Sequence, residues 1–169
     1  MAAAGDDSSA FSSLFNPDHP SFLNPTDMTS AITEYCRTTE QPAPSGPAAF
    51  TRAILESLAF RYRHVIDMLE ELTGVRFEEV SIMGGGSKNR LLNQFTADAT
   101  GRTVVAGPAE ATALGNIAMQ MLATGAVGSL AEARQVIDRS FPTERFEPSD
   151  PARWESHYRR LKQYVKSAG

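Results

Sequence analysis

A single cysteine, Cys36, stands among 169 residues. An intramolecular disulfide is therefore excluded, and a reducing cytoplasm is the simplest compartment. No apolar run approaches the roughly 18 residues of a membrane span. The opening Met1-Ala2-Ala3-Ala4-Gly5-Asp6-Asp7 has neither a basic n-region nor an apolar h-region, so it does not read as a secretory signal. Basic excess is missing too. With a net charge of −4 and basic residues scattered apart from Arg159-Arg160, a nucleic-acid groove is not the main function. No internal repeat is visible. What remains is an ordinary globular composition, 41% hydrophobic, in about one domain.

The first 47 residues differ in texture from the rest. Asn16-Pro17, His19-Pro20 and Asn24-Pro25 break regular structure, while Phe11, Leu14, Phe15, Phe22 and Leu23 supply apolar anchors. Residues 1–47 therefore read as an irregular packed arm carrying one short helix, Asp27 to Arg37, with Ile32, Tyr35 and Cys36 inward. A long helix is expected from Ala48 to Thr73, roughly 36 Å, with Gly74 as its stop. Its inward stripe is Ile54, Leu55, Leu58, Ala59, Tyr62, Val65, Ile66, Leu69 and Leu72. His64 falls off that stripe and reads as solvated. Residues 48–169 form the second unit.

Glu79 to Met83 reads as a strand, Ser87 to Thr100 as a helix and Thr103 to Ala106 as a second strand. A helix from Ala111 to Ala123 carries Leu114, Ile117, Ala118, Met121 and Leu122 inward. Ser129 and Glu132 open a short helix with a capping-box pattern. Phe141 to Pro148 reads as a loop, and Asp150-Pro151 starts a last helix bearing Trp154, Tyr158, Leu161 and Tyr164. Two parallel strands this apolar belong inside a larger sheet, so the expectation is two parallel strands with about five helices and the remainder of the sheet missing.

Between the first strand and its helix lie Gly84-Gly85-Gly86-Ser87-Lys88-Asn89, a turn that lets a ligand approach backbone N–H groups at a helix start. The Walker A spacing is absent, and Lys88 is followed by Asn89 rather than Ser or Thr. A dinucleotide fingerprint requires a third glycine where Asn89 stands, and Glu110 lies beyond the second strand rather than at its end. A glycine turn needed only for tight strand–helix packing is the structural alternative.

The segment Ile82 to Gln94 resembles the adenosine-binding turn and helix of FGGY-type carbohydrate kinases. Gly107-Pro108-Ala109-Glu110-Ala111-Thr112-Ala113-Leu114-Gly115-Asn116 is similar to a second element of that family. Phe22-Leu23-Asn24-Pro25, Tyr35-Cys36-Arg37, Glu56-Ser57-Leu58-Ala59 and Tyr62-Arg63 resemble elements of its rhamnulokinase branch. The resemblance runs from Phe15 to Tyr158. It implies an α/β fold, a partial actin-like ATPase (ribonuclease H-like) domain corresponding to the last third of such an enzyme. It also implies ATP with Mg²⁺ as cofactors and a ketose, L-rhamnulose, as the acceptor phosphorylated by the full enzyme. The catalytic aspartate, the phosphate loop and most sugar contacts would lie outside this chain, which alone would be inactive.

Carried over residue by residue, Gly85 matches the position whose backbone contacts ATP, and Gly84 and Gly86 complete the turn. Asn89 lies where its amide could reach adenine or ribose, although packing at the helix start explains it almost as well. Lys88 stands where the branch usually has glutamine. Glu110 and Asn116 are family residues that a helix-start carboxylate and a packing amide also account for. Cys36 reads as a semi-buried thiol, since the extra cysteines of some relatives are absent. Asp6-Asp7, Glu70-Glu71 and Glu78-Glu79 read as surface. Neither nucleic acid nor membrane is expected as a partner. An unpaired apolar edge at Glu79–Met83 predicts self-association. A stand-alone, non-catalytic nucleotide-binding or interaction module, favoured by the chain's apparent completeness from Met1 to Gly169, is the alternative. Another sugar kinase of the family, for fuculose or xylulose, is a further one.

Overall fold

The computed structural model describes residues 10–166, so Asp6 and Asp7 lie outside the described residues. The elements run α1 (Met28–Thr38), α2 (Gly46–Thr73), β1 (Glu79–Ile82), α3 (Arg90–Thr100), β2 (Thr103–Ala106), α4 (Ala111–Ala123), α5 (Leu130–Ser140), β3 (Glu144–Phe146) and α6 (Pro151–Lys166). Short 3₁₀ turns occupy Pro20–Phe22 and Gly85–Lys88.

Local chemistry explains the boundaries. Asp27 caps α1 by accepting the N–H groups of Thr29 and Ser30, which is why the helix begins one residue later than the pattern suggested. Gly74 and Gly101 end α2 and α3 in the left-handed conformation that glycine takes without strain. Ser129 caps α5 by accepting from Glu132 N–H, while the Glu132 carboxylate reaches back to Gly128 N–H at 2.7 Å. Asp150 accepts Arg153 N–H at 3.2 Å and starts α6, whose buried Trp154, Tyr158 and Leu161 are those expected.

The sheet has three strands in the order β1-β2-β3. β1 and β2 are parallel, with Val80 opposite Val104 and Ile82 opposite Ala106. β3 pairs antiparallel with β2 in a stretch whose composition reads as loop. Three residues flanked by prolines at 142 and 148 are too short to show an alternating pattern. They become a strand because Phe146 is buried against Val104 and Ala97 under the sheet. The six α-helices correspond to the six helical segments read from the sequence, with small shifts at their ends.

The main core joins the arm to α2, α3 and α6. Trp154 stands at its centre, edge-on to Phe11 at 4.8 Å and near Phe60 and Phe95 at 4.9 and 5.1 Å. A second cluster packs Phe15, Ile32, Tyr35 and Cys36 against Ala53. Cys36 is fully buried rather than half so, and desolvation pushes its thiol pKa up. Leu23, read as an anchor, is 89% exposed.

Helix α2 corrects the periodicity reading in both directions. Ala53, Glu56, Ser57 and Phe60 are buried because the arm covers a second flank of the helix. Leu69 and Leu72 are exposed, Leu72 at 86%, because the last turns of α2 extend past the elements that cover its first half. Ile117, placed inward by spacing, is exposed on α4. His64 is half-buried rather than solvated, and burial, with Arg61 and Lys162 nearby, lowers its pKa.

Candidate nucleotide site

The glycine turn sits at the carboxyl end of β1, where the chain must leave the sheet and enter α3. Gly84 has φ 83° and ψ −164°, a region open in practice only to glycine. Its N–H donates to the Pro108 carbonyl at 3.0 Å, and Gly107 N–H donates to the Ile82 carbonyl at 2.8 Å. These two bonds tie the turn to the loop that follows β2, bringing together two segments separated in sequence by a whole helix.

Beyond Gly84 the chain makes one 3₁₀ turn, Gly85–Lys88. Its carbonyls are engaged within the turn. Gly84 C=O accepts Ser87 N–H at 3.0 Å and Ser87 Oγ–H at 2.8 Å, and Gly86 C=O accepts Asn89 N–H at 3.0 Å. The N–H groups of Gly85 and Gly86 open the turn and have no partner within it, as at any helix start. Both glycines are exposed. The turn therefore presents donors, which suits an electron-rich or anionic ligand.

Packing does not account for these glycines. A Cβ on Gly85 would meet nothing within 4 Å, and one on Gly86 would meet Ile82 Cγ2 at an ordinary 3.9 Å. Only Gly84 is held to glycine by its backbone. Gly85 and Gly86 keep a surface bare that the protein itself does not fill, which counts against the purely structural alternative.

Asn89 is exposed and caps α3, its Oδ1 accepting Leu92 N–H at 3.1 Å. Its amide nitrogen is the end left for a ligand. Lys88, Glu110 and Asn116 are exposed, Glu110 at the start of α4 without a side-chain capping bond. Two residues beyond the expected set support the turn. Ser87 is buried under Gly84, and Asn93, fully buried, donates Nδ2–H to the Ser87 carbonyl at 2.8 Å. Sequence spacing gives neither away, because each acts through a backbone carbonyl whose direction the folded turn sets.

Beside the turn lies a cavity of about 640 Å³ between α4 and α5. Met83 and Pro108 join it to the turn, Leu114, Leu130 and Ile137 make it apolar, and Arg134 and Asp138 stand on its α5 wall. Such a mostly apolar cleft with a few polar groups suits a flat heterocycle.

Two of the acids near the sheet are already engaged. Glu70 accepts Phe77 N–H at 2.8 Å and pairs with Arg102 at 2.6 Å; these bonds, the backbone one foremost, lower its pKa, away from what a general base needs. Glu79 pairs with Arg145 at 2.8 Å. Among the described residues no three His, Cys, Asp or Glu gather as metal ligands, and no helix is long and apolar enough to cross a membrane.

The chain as a whole is similar to known proteins. The profile of the FGGY family of carbohydrate kinases, C-terminal domain, matches residues 1–124. A rhamnulokinase of Bacteroides thetaiotaomicron is 48% identical over 166 residues, 98% of this chain and 34% of that protein. Rhamnulokinases of Pectobacterium carotovorum and Bacillus subtilis are 43% and 44% identical over 90% and 83% of this chain. The chain spans about a third of the length of these relatives, 34% at most. Among solved structures, xylulose kinase from Rhodospirillum rubrum superposes with a TM-score of 0.56 at 20% identity, over 75% of this chain and 25% of that one. Gluconate kinase from Lactobacillus acidophilus gives 0.56 at 16%, over 71% and 24%. The fold is thus α/β, shared with part of the actin-like sugar kinases, and the chain belongs to the FGGY family of carbohydrate kinases, whose C-terminal domain it carries.

Proposed function

We propose that residues 48–169 are the ATP-binding portion of a rhamnulokinase-like sugar kinase, with 1–47 as an arm bracing it. The adenosine of ATP lies on the Gly84-Gly85-Gly86 turn. The free N–H groups of Gly85 and Gly86 face it, the Asn89 amide nitrogen reaches its edge, and the cleft beside Met83 and Pro108 takes the base. The observation that carries this reading is the bare surface at Gly85, which neither backbone geometry nor packing requires.

In a protein of the relatives' length, this portion would hold one end of the nucleotide while other residues bind the sugar. Phosphoryl transfer needs positioning and charge neutralisation more than covalent chemistry from the protein. Mg²⁺ would ride on the ATP phosphates, since among the described residues the acids do not gather to hold it. L-rhamnulose, giving L-rhamnulose 1-phosphate and ADP, is the favoured reaction because the relatives named rhamnulokinase match at 43–48% identity. Fuculose and xylulose are the alternative acceptors. A non-catalytic nucleotide-binding module is the second reading. A cytoplasmic setting and self-association through the free edge of β1 complete the proposal.

Calorimetry of the chain with ADP and ATP tests it. Saturable binding of both, with no phosphorylation of L-rhamnulose by the chain alone, is expected. Absence of nucleotide binding would remove the reading, and sugar-dependent turnover by the chain alone would relocate the catalytic machinery into it.

A further inference from the structure

Asn93 is fully buried, yet only half of its amide is satisfied. Nδ2 donates to the Ser87 carbonyl at 2.8 Å, whereas Oδ1 has no hydrogen-bond partner among the described residues. A buried orphan acceptor destabilises a fold, and a leucine of similar shape would avoid it. Such a cost is tolerated where the other half of the group does something an apolar residue cannot.

The geometry shows what that is. Asn93 backbone N–H closes the first turn of α3 on the Asn89 carbonyl at 3.0 Å, and its side chain reaches one step further to Ser87. One residue thus pins both the capping residue of α3 and the buried end of the glycine turn. With the Gly84 and Gly86 carbonyls already engaged by Ser87 and Asn89, the bond from Asn93 draws the Ser87 carbonyl inward as well. Every carbonyl so held is one not facing the ligand, and the donors of Gly85 and Gly86 are left outward.

We infer that Asn93 is a positioning residue for nucleotide binding: from inside the core it locks the Gly84–Asn89 turn in the donor-outward form. The inference rests on the nucleotide reading above and names a residue that does not itself touch the ligand. Its signature is a split between stability and binding. Removing the orphan with the donor relieves one cost while releasing the Ser87 carbonyl.

The test uses the whole chain labelled with ¹⁵N-glycine, titrated with ADP and melted, as the parent and as Asn93→Leu. In the parent, the Gly85 and Gly86 amide signals shift with ADP. In Asn93→Leu the melting temperature stays within about 2 °C of the parent or rises. Its Gly85 and Gly86 signals are already displaced or broadened without nucleotide, and the ADP midpoint rises about tenfold, or roughly 1.4 kcal/mol. Unchanged glycine signals and an unchanged midpoint in the variant would overturn the inference and leave the nucleotide reading intact. Parent signals that ignore ADP would overturn both. If leucine prevents folding, Asn93→Ala removes the same donor and is judged by the same signals.

Discussion

The Glu56 carboxylate accepts the backbone N–H of Phe11 at 2.9 Å, across 45 residues and inside the core. Its other oxygen takes the Arg52 guanidinium at 2.8 Å, and the residue is 1% exposed. Phe11 itself holds a left-handed backbone, φ 55°, and its carbonyl accepts from Arg160. Burial is the leading influence on Glu56 and raises its pKa, with Arg52 and Phe11 opposing. The arm is therefore fastened to α2 by polar groups that water cannot reach.

Breaking that fastening is expected to be expensive. Glu56→Ala leaves the Phe11 N–H buried without this acceptor and takes a charge partner from Arg52, a change worth about 3–5 kcal/mol for a buried pair. Glu56→Gln keeps an acceptor and costs about 1–3 kcal/mol. Urea denaturation of the two variants measures the difference. Equal midpoints for Glu56→Ala and the parent would mean that the arm is not bound as described.

Gly84 and Gly85 separate by role. Gly84→Ala forces a side chain into a glycine-only region and costs about 1–3 kcal/mol in a thermal or urea melt. Gly85→Ala, whose added methyl meets nothing, leaves stability unchanged or raises it by about 0.4–1 kcal/mol. That same methyl occupies the surface assigned to adenosine, so ADP affinity is expected to fall several-fold. A Gly85→Ala chain that binds ADP as the parent does would place the nucleotide elsewhere.

Alkaline stability is tied to Tyr158. Its hydroxyl donates to Asp67 at 2.8 Å, the ring is 1% exposed, and Arg63 lies over it at 4.0 Å. Burial first, and Asp67 second, raise its pKa well above the usual phenol range. The folded state thus keeps the proton that the unfolded chain loses near pH 10. Stability from this group is complete below pH 10 and declines above it by about 1.4 kcal/mol per pH unit. Tyr158→Phe loses about 0.5–1.5 kcal/mol at pH 7 and lacks that part of the alkaline slope. Urea midpoints of both proteins between pH 7 and 11 check the sign.

The outer edge of β1 has no strand against it among the described residues, and Val80, Ile82, Val65 and Ile66 line an apolar groove beside it. Such an edge templates pairing with another chain. Sedimentation velocity of the purified chain is expected to show concentration-dependent association. Val80→Lys, placing a charge on that edge, is expected to shift it toward monomer. A parent that stays monomeric at every concentration would exclude the edge as an association surface.

Much of the fold was legible because local chemistry repeats locally. Caps at Ser129 and Asp150, stops at Gly74 and Gly101, and the helical spacing of Trp154, Tyr158 and Leu161 need no distant partner to be read. What escaped depends on neighbours. Glu56 looks like a surface acid until the arm covers it, and Leu72 looks like core until α2 outruns what covers it. β3 exists because β2 offers Phe146 a place to bury, not because three residues prefer to be extended. In the site, the glycines and Asn89 were readable from order and spacing. Ser87 and Asn93 were not, since their roles lie in bonds to carbonyls whose direction only the folded turn sets.

The sequence alone determined the order of the six helices and the first two strands, the glycine turn and the family likeness, because each is carried by contiguous residues and short-range sterics. Tertiary structure decided which surfaces are covered and which carbonyls are spoken for. Burial and hydrogen-bond satisfaction are properties of residues brought together from far apart. That is why the bareness of Gly85, and the bond from Asn93 that braces the turn, appear only once α3 is folded against its sheet.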